Sequence, residues 1–189
     1  MSEKELVELC RQGDRTAFNE LVLLYQTKVM NISYGILGNP DDAADAAQEV
    51  FIKIYRAIER FEGKSSLSTW IYRITTNVCT DILRKKSRTS ALSINAHIGD
   101  DEKEFDIKDD SKTPDEVAEM NETQREVRAA IDSLSEDYKT VLTLYDLEGL
   151  AYDEIAQIVD CPIGTVKSRL NRARAALKKK LSQKRELFL

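Results

Sequence analysis

The sequence is poor in the residues that break or cross-link a chain. Three prolines and seven glycines in 189 residues leave long stretches without a breaker, and nothing alternates with period two for long, which argues against a turn-rich β architecture. Cysteine is scarce: Cys10, Cys79 and Cys161 have no CxxC spacing, and the single histidine, His97, has no partner ligand nearby. That excludes a zinc site and a secreted disulfide scaffold, and leaves three thiols as small core filler in a reducing compartment. No apolar run approaches the roughly eighteen residues of a membrane span, and the opening MSEKELVELC lacks the apolar core of a signal peptide. A soluble, cytoplasmic protein without membrane insertion is expected. There is no grouping of nucleophile, base and orienting residue, and no glycine-rich phosphate loop. The expectation is therefore no catalytic residue, no metal, no cofactor, no small-molecule substrate and no enzyme.

What is abundant is leucine, alanine, glutamate, lysine and arginine, in a chain that is 42% hydrophobic. The expected fold is all-α: two small helical domains, residues 1–88 and 115–189, joined by a flexible acidic linker over 89–114. The net charge of -5 is unevenly spread. Residues 1–90 carry 13 basic and 12 acidic groups, residues 91–119 carry 3 and 10, and residues 120–189 carry 12 and 11. The acid sits in the middle, so the global balance hides basic surface at the ends.

Helix signals follow one another along the first domain. Ser2 and Glu5 form a capping box for a helix ending near Gly13, and Asp14 caps a second that carries Phe18, Leu21, Val22, Tyr25, Val29, Ile32 and Ile36 to Gly38. Asn39 and Pro40 open a third, which buries Ala43, Ala47, Val50, Phe51, Ile54, Ile58 and Phe61. Its outer face begins with Asp42, Asp45 and Glu49, which either complement the helix dipole or dock a partner helix. A loop over 62–66 precedes a fourth helix, residues 67–86, capped by Ser65 or Ser66. Leu67, Trp70, Ile71, Ile74, Val78 and Ile82 make its apolar side. Arg73, Thr76, Asn77, Thr80 and Arg84 gather opposite, a mixture of hydrogen-bonding and basic groups suited to single-stranded nucleic acid. Trp70, at the border, reads either as a stacking surface or as core.

Residues 87–114 lack a sustained period and are rich in Ser, Asp and Lys, hence the linker. Asp115 to Ile131 looks helical, and Ser133 with Glu136 three residues on reads as a capping box for a helix bearing Tyr138, Val141, Leu142, Leu144 and Tyr145. Then comes GLAYDEIAQIVDCPIGTVKSRLNRARAALKKK, Gly149 to Lys180. Leu150, Ile155, Ala156, Ile158 and Val159 have helical spacing, Asp160 to Gly164 breaks it, and a second helix starts at Thr165 with Val166 and Leu170 inward. That is a helix-turn-helix with a glycine-containing turn. Lys167, Ser168, Asn171 and Arg172 face outward as base-edge readers: Arg and Lys for guanine, Asn for adenine. From Thr165 to Arg185 there are nine Lys/Arg and no acid, which suits a phosphate backbone rather than an ordinary solvated face.

The segments DDAADAAQEVFIKIYRAIERF, EGKSSLSTWIYRITTNVCTDILRKK and LSEDYKTVLTLYDLEGLAYDEIAQIVDCPIGTVKSRLNRARAALKK, in that order around an acidic linker, resemble a bacterial RNA polymerase sigma factor of the extracytoplasmic-function (ECF) type. The resemblance implies a subunit that binds core RNA polymerase and directs promoter-specific initiation. It places Asp42, Asp45, Gln48 and Glu49 on the clamp helices of the largest polymerase subunit. It places Lys64, Ser65, Ser66, Leu67 and Ser68 in the loop that captures a flipped minus-ten base, with Trp70, Arg73, Asn77 and Arg84 in or beside the melting surface. It makes Lys167, Ser168, Asn171 and Arg172 minus-thirty-five readers, with Thr165, Arg169 and Arg174 on phosphates. Promoter DNA and an anti-sigma factor are the further partners it implies. The alternative is a stand-alone helix-turn-helix regulator, with residues 1–86 as a sensor or dimerisation module. Asn171 stands where some members carry an aromatic or another polar group, so the promoter sequence stays open.

Overall fold

A computed structural model describes residues 2–96 and 122–187; most of the expected linker, and His97 with it, lies outside the described residues. The described residues contain helices and no strand. The first half comprises α1 (Glu3–Arg11), α2 (Arg15–Leu37), α3 (Pro40–Ala57), a 3-10 turn (Ile58–Arg60) and α4 (Leu67–Ala96). The second comprises α5 (Glu122–Asp132), α6 (Glu136–Leu142), a π turn (Thr143–Leu147), α7 (Tyr152–Ile158) and α8 (Ile163–Leu187).

The starts of the first helices are fixed by short side chains. The Ser2 backbone N–H donates to the Glu5 carboxylate at 2.8 Å, and the Glu5 N–H returns to Ser2 Oγ at 3.3 Å. Asp14 accepts from the Thr16 and Ala17 N–H groups at 2.7 and 3.0 Å, and Asn39 from Asp41 and Asp42 at 2.8 and 3.0 Å. Each such cap satisfies donors that would otherwise be orphaned, a contribution of about 1 kcal/mol. Gly38 ends α2 with φ 82°, a left-handed conformation that glycine adopts without penalty. Ser66 caps α4, its Oγ accepting from the Thr69 N–H at 3.1 Å.

Four expectations need correcting. The helix expected to end at Lys86 continues to Ala96, into the stretch assigned to the linker; residues 87–96 lack apolar periodicity, but no glycine or proline stops the helix. Ser133 caps nothing: its hydroxyl donates to the Ala130 carbonyl at 2.7 Å, and α6 starts at Glu136. The second helix of the helix-turn-helix starts at Ile163, not Thr165. The chain reverses on Asp160, with φ 49°, rather than on Gly164, which lies inside α8. Asp tolerates the left-handed region through local hydrogen bonding of its short side chain, and Pro162 makes a natural first stop before the new helix.

Helices α2, α3 and α4 pack on one another, with α1 against α2. Leu21, Val29, Ile32, Ile36, Val50, Ile54, Leu67 and Ile71 are buried in their centre. Helices α6, α7 and α8 close around Val141, Leu144, Ile155, Ile158, Val166 and Leu170. The two groups are one continuous apolar cluster: α2 packs on α6 and the π turn, and α4 packs on α7.

Candidate nucleic-acid interface

Helix α8 is held from below by Val166, Leu170 and Ala173, all fully or almost fully buried. Their spacing fixes its rotation, so Lys167, Ser168, Asn171 and Arg172 emerge exposed on the other side. The two flanking arginines are placed differently. Arg169 is half-buried and pairs with Asp137 at 2.7 Å. Arg174 makes a forked pair with Asp146, Nε to Oδ2 at 3.2 Å, and its guanidinium lies 5.1 Å above the Tyr145 ring. The hydrogen bond to Asp146 holds the Arg174 proton more firmly than usual. Both cations are thus engaged within their own half, whereas Arg172 has no partner among the described residues.

Sequence reasoning missed an aromatic shelf beneath this face. Tyr145 and Tyr152 stack with centroids 4.8 Å apart and planes 13° from parallel, and Lys167 Nζ sits 5.5 Å over Tyr152. The signal was there as two tyrosines flanking Gly149. The turn at Gly149, φ 71°, lies between them and brings one ring onto the other.

On α4, Leu67, Ile71 and Val78 are buried, and so are Thr69, Thr75 and Thr76, whereas Asn77 and Arg84 are exposed. Trp70 is half-buried and meets Phe61 at 5.0 Å, so it packs the loop before α4. Within that loop the Ser66 hydroxyl contacts the hydroxyls of Ser68 at 2.9 Å and Thr69 at 2.8 Å; Lys64 is exposed beside Glu62, and Ser65 is half-buried. Of Arg73, Thr76, Asn77 and Arg84, Asn77 and Arg84 are exposed, and both arginines reach the second half of the chain. Arg73 Nε donates to the Gln157 carbonyl of α7 at 3.1 Å, and Arg84 Nε meets Glu136 of α6 at 3.0 Å. Thr76 is buried, and Asn77 lines a polar cleft of about 310 Å³ between the halves.

The acidic face of α3 divides. Asp45, Gln48 and Glu49 are exposed, with Glu49 bridging to Lys53 at 2.9 Å. Asp42 instead turns toward α4, where Lys86 donates to it. Beside this face an apolar groove of about 500 Å³ runs between α2 and α3, lined by Val22, Met30, Ala47 and Phe51 among others. Ile52 and Leu23 are exposed on the same two helices, 50% and 68% accessible. Large exposed apolar groups beside charges mark a contact surface. Among the described residues no cluster of three or more His, Cys, Asp or Glu could hold a metal, and no helix is long and apolar enough to cross a membrane.

A helix-turn-helix following a helical bundle with a polar α4 face defines a class that comparison makes specific. Family models match in tandem, Sigma-70 region 2 over residues 21–89 and Sigma-70, region 4 over residues 116–177. The chain belongs to the bacterial sigma factors, in the ECF group: transcription initiation factors rather than catalysts. It is 40% identical over 184 residues to the ECF RNA polymerase sigma-E factor of Haemophilus influenzae, spanning 96% of each chain. It is 38% identical to the RNA polymerase sigma-H factor of Pseudomonas aeruginosa, over 95% of this chain and 93% of that one. The sigma factor RpoE of Bartonella quintana, solved in complex with the anti-sigma factor NepR, superposes with TM-score 0.64 at 25% identity, over 87% of this chain and 96% of that one. CnrH, solved with the cytosolic domain of CnrY, shares the fold with TM-score 0.69 at 18% identity, over 96% and 97%.

Proposed function

We propose that this chain binds core RNA polymerase in the cytoplasm and reads two promoter elements in different physical states. Residues 115–189 read the minus-thirty-five element as duplex, and residues 1–88 read the minus-ten element as melted single strand, with the linker over 89–114 between them. The observation that carries this reading is the geometry of α8, whose buried Val166 and Leu170 hold Lys167, Ser168, Asn171 and Arg172 outward together. A helix of this kind docks in the major groove, where those side chains distinguish base edges.

The division of labour follows from the surfaces. The basic run of α8 supplies salt-dependent affinity and register on paired DNA, with Thr165, Arg169 and Arg174 on the phosphate side. The Lys64 to Ser68 loop, with Trp70 packing beneath it, takes an extruded base, offsetting an unstacking cost of a few kcal/mol. Arg73, Asn77 and Arg84 follow the single strand away from that pocket. Asp45, Gln48 and Glu49, with the apolar groove beside them, form the polymerase-docking face, and Asp42 supports it through α4. An anti-sigma factor is the natural antagonist, as one is bound to the Bartonella relative.

The test is transcription in vitro from a promoter library with purified core polymerase. Initiation at defined sites that depends on this chain is expected. Tight operator-type duplex binding with no initiation would instead make it a stand-alone regulator.

A further inference from the structure

Tyr145 and Tyr152, from either side of the Gly149 turn, form the middle of a ladder that ends on α8. Their rings lie 4.8 Å apart and 13° from parallel. The Arg174 guanidinium sits 5.1 Å above Tyr145, and the Lys167 ammonium 5.5 Å above Tyr152. The order is therefore Arg174, Tyr145, Tyr152, Lys167, with a cation against each ring of a stacked pair. Lys167 and Arg174 are seven residues apart, two turns or about 10.5 Å of α8, so both leave the helix on the same side. Two stacked rings span that gap.

The ladder is fastened at one end and open at the other. Arg174 is forked onto Asp146, the residue that follows Tyr145 in the chain, so two of its nitrogens are engaged and its plane is set. Tyr145 lies between that guanidinium and Tyr152, and both rings are half-buried. Lys167 is exposed, and among the described residues its ammonium makes no hydrogen bond or ion pair. Its three N–H donors are free for an outside acceptor, while the negative face of the ring holds the charge in place. A lysine stem otherwise samples many rotamers, and ordering it only on contact with DNA subtracts from affinity.

We infer that Tyr145 and Tyr152 are positioning residues for minus-thirty-five recognition: the stacked pair sets where the Lys167 ammonium stands at the edge of the reading face, and so fixes the base preference that Lys167 contributes. Tyr152 acts on Lys167 directly. Tyr145 acts through Tyr152, with the Arg174–Asp146 fork behind it. The inference rests on the sigma-factor reading for what Lys167 meets. Removing the Tyr152 ring frees Lys167 outright, whereas removing the Tyr145 ring lets Tyr152 turn and loosens the hold. Phenylalanine at either position keeps the ring face, and with it the hold.

The test uses the full chain with Tyr145→Leu, Tyr152→Leu, Tyr145→Phe, Tyr152→Phe and Lys167→Ala, each checked for native helicity. In the free protein, NMR of the Lys167 ε-methylene, assigned through Lys167→Ala, reads its place over a ring. An upfield ring-current shift is expected in wild type and in both phenylalanine variants. It should vanish in Tyr152→Leu and shrink in Tyr145→Leu. Holoenzyme assembled with core polymerase then selects from a promoter library randomised over the upstream element. The leucine variants should lose about two- to fivefold in preference at the position that Lys167→Ala flattens, the scale of one exposed cation–ring contact, while the phenylalanine variants keep it. Adding Tyr145→Leu to Lys167→Ala should cost that position nothing more. A Lys167 methylene at the free-lysine position in wild type overturns the inference. So does an unchanged preference in folded leucine variants, or a loss that adds to that of Lys167→Ala. Should a leucine variant fail to fold, Tyr145→Met or Tyr152→Met, a long side chain without a ring, takes its place. A wild-type holoenzyme that selects no upstream motif sinks the sigma reading, whereas the ring-current shift reports the ladder on its own.

Discussion

Arginine side chains on α8 differ by what the chain itself offers them. Among the described residues Arg172 has no partner, while Arg174 is forked onto Asp146 and Arg169 is paired with Asp137. Replacing Arg172 with alanine is expected to flatten one or two positions of the upstream-element preference, at about 1–3 kcal/mol; selection from a randomised promoter pool would report it. A residue-scale prediction of another kind concerns Cys79. Burial pushes its thiol up to about 11 from an ordinary 9.0. A folded-state pKa above the unfolded one means stability is whole below pH 9 and is lost as pH rises toward 11, since the unfolded chain ionises first. The expected contribution is about 3 kcal/mol across that window, seen as a falling denaturant midpoint that Cys79→Ala makes shallower; Cys10 and Tyr25, also pushed up by burial, supply the rest. Cys10, also buried, and Cys79 should resist thiol reagents that modify the partly exposed Cys161.

At the scale of elements, the rotation of α8 is the quantity to perturb. Leu170 is almost wholly buried on its inner face. Leu170→Ala should cost about 2–5 kcal/mol through the cavity left behind, and should weaken duplex binding beyond what the loss of folded protein explains. Calorimetry and binding on the same samples separate the two. The elements themselves were largely legible: Ser2, Asp14, Asn39-Pro40 and Ser66 act locally, within three residues, so their sequence pattern suffices to place helix starts. Three features were not. Ser133 has a capping-box neighbour in Glu136, yet helix geometry at Ala130 claims its hydroxyl first. Gly164 looked like the turn because glycine is the commonest left-handed residue, but Asp160 holds that conformation here. The π turn at Thr143–Leu147 has no composition of its own that sequence pattern could pick out, and it packs on α2. The outward position of Lys167, Ser168, Asn171 and Arg172 on α8 was legible because Val166 and Leu170 fix the phase. The pairing of Arg84 with Glu136 was not, because residues far apart in sequence leave no periodic trace.

For the molecule as a whole, charge and apolar surface are distributed so that each outer face suits a different partner. Asp45, Gln48 and Glu49 border the α2–α3 groove, with Ile52 and Leu23 exposed nearby. Exchanging Asp45 and Glu49 for lysine should weaken competition for core polymerase by about tenfold, through reversed electrostatic complementarity. If the double variant competes like wild type, those acids serve only the dipole of α3. The same experiment with Ile52→Ala reads the apolar share of the contact.

Where α2 packs on the π turn, Gly35 faces Thr143 with no room for a methyl group, and this bears on how such a chain would vary in a population. Every glycine codon lies a single base change from an alanine codon, and alanine at this position pushes the Thr143 methyl away. The restraint between the halves therefore hangs on one nucleotide. A scan of single-base changes along the gene should therefore find this codon among the least forgiving, with the alanine allele lowering the melting temperature.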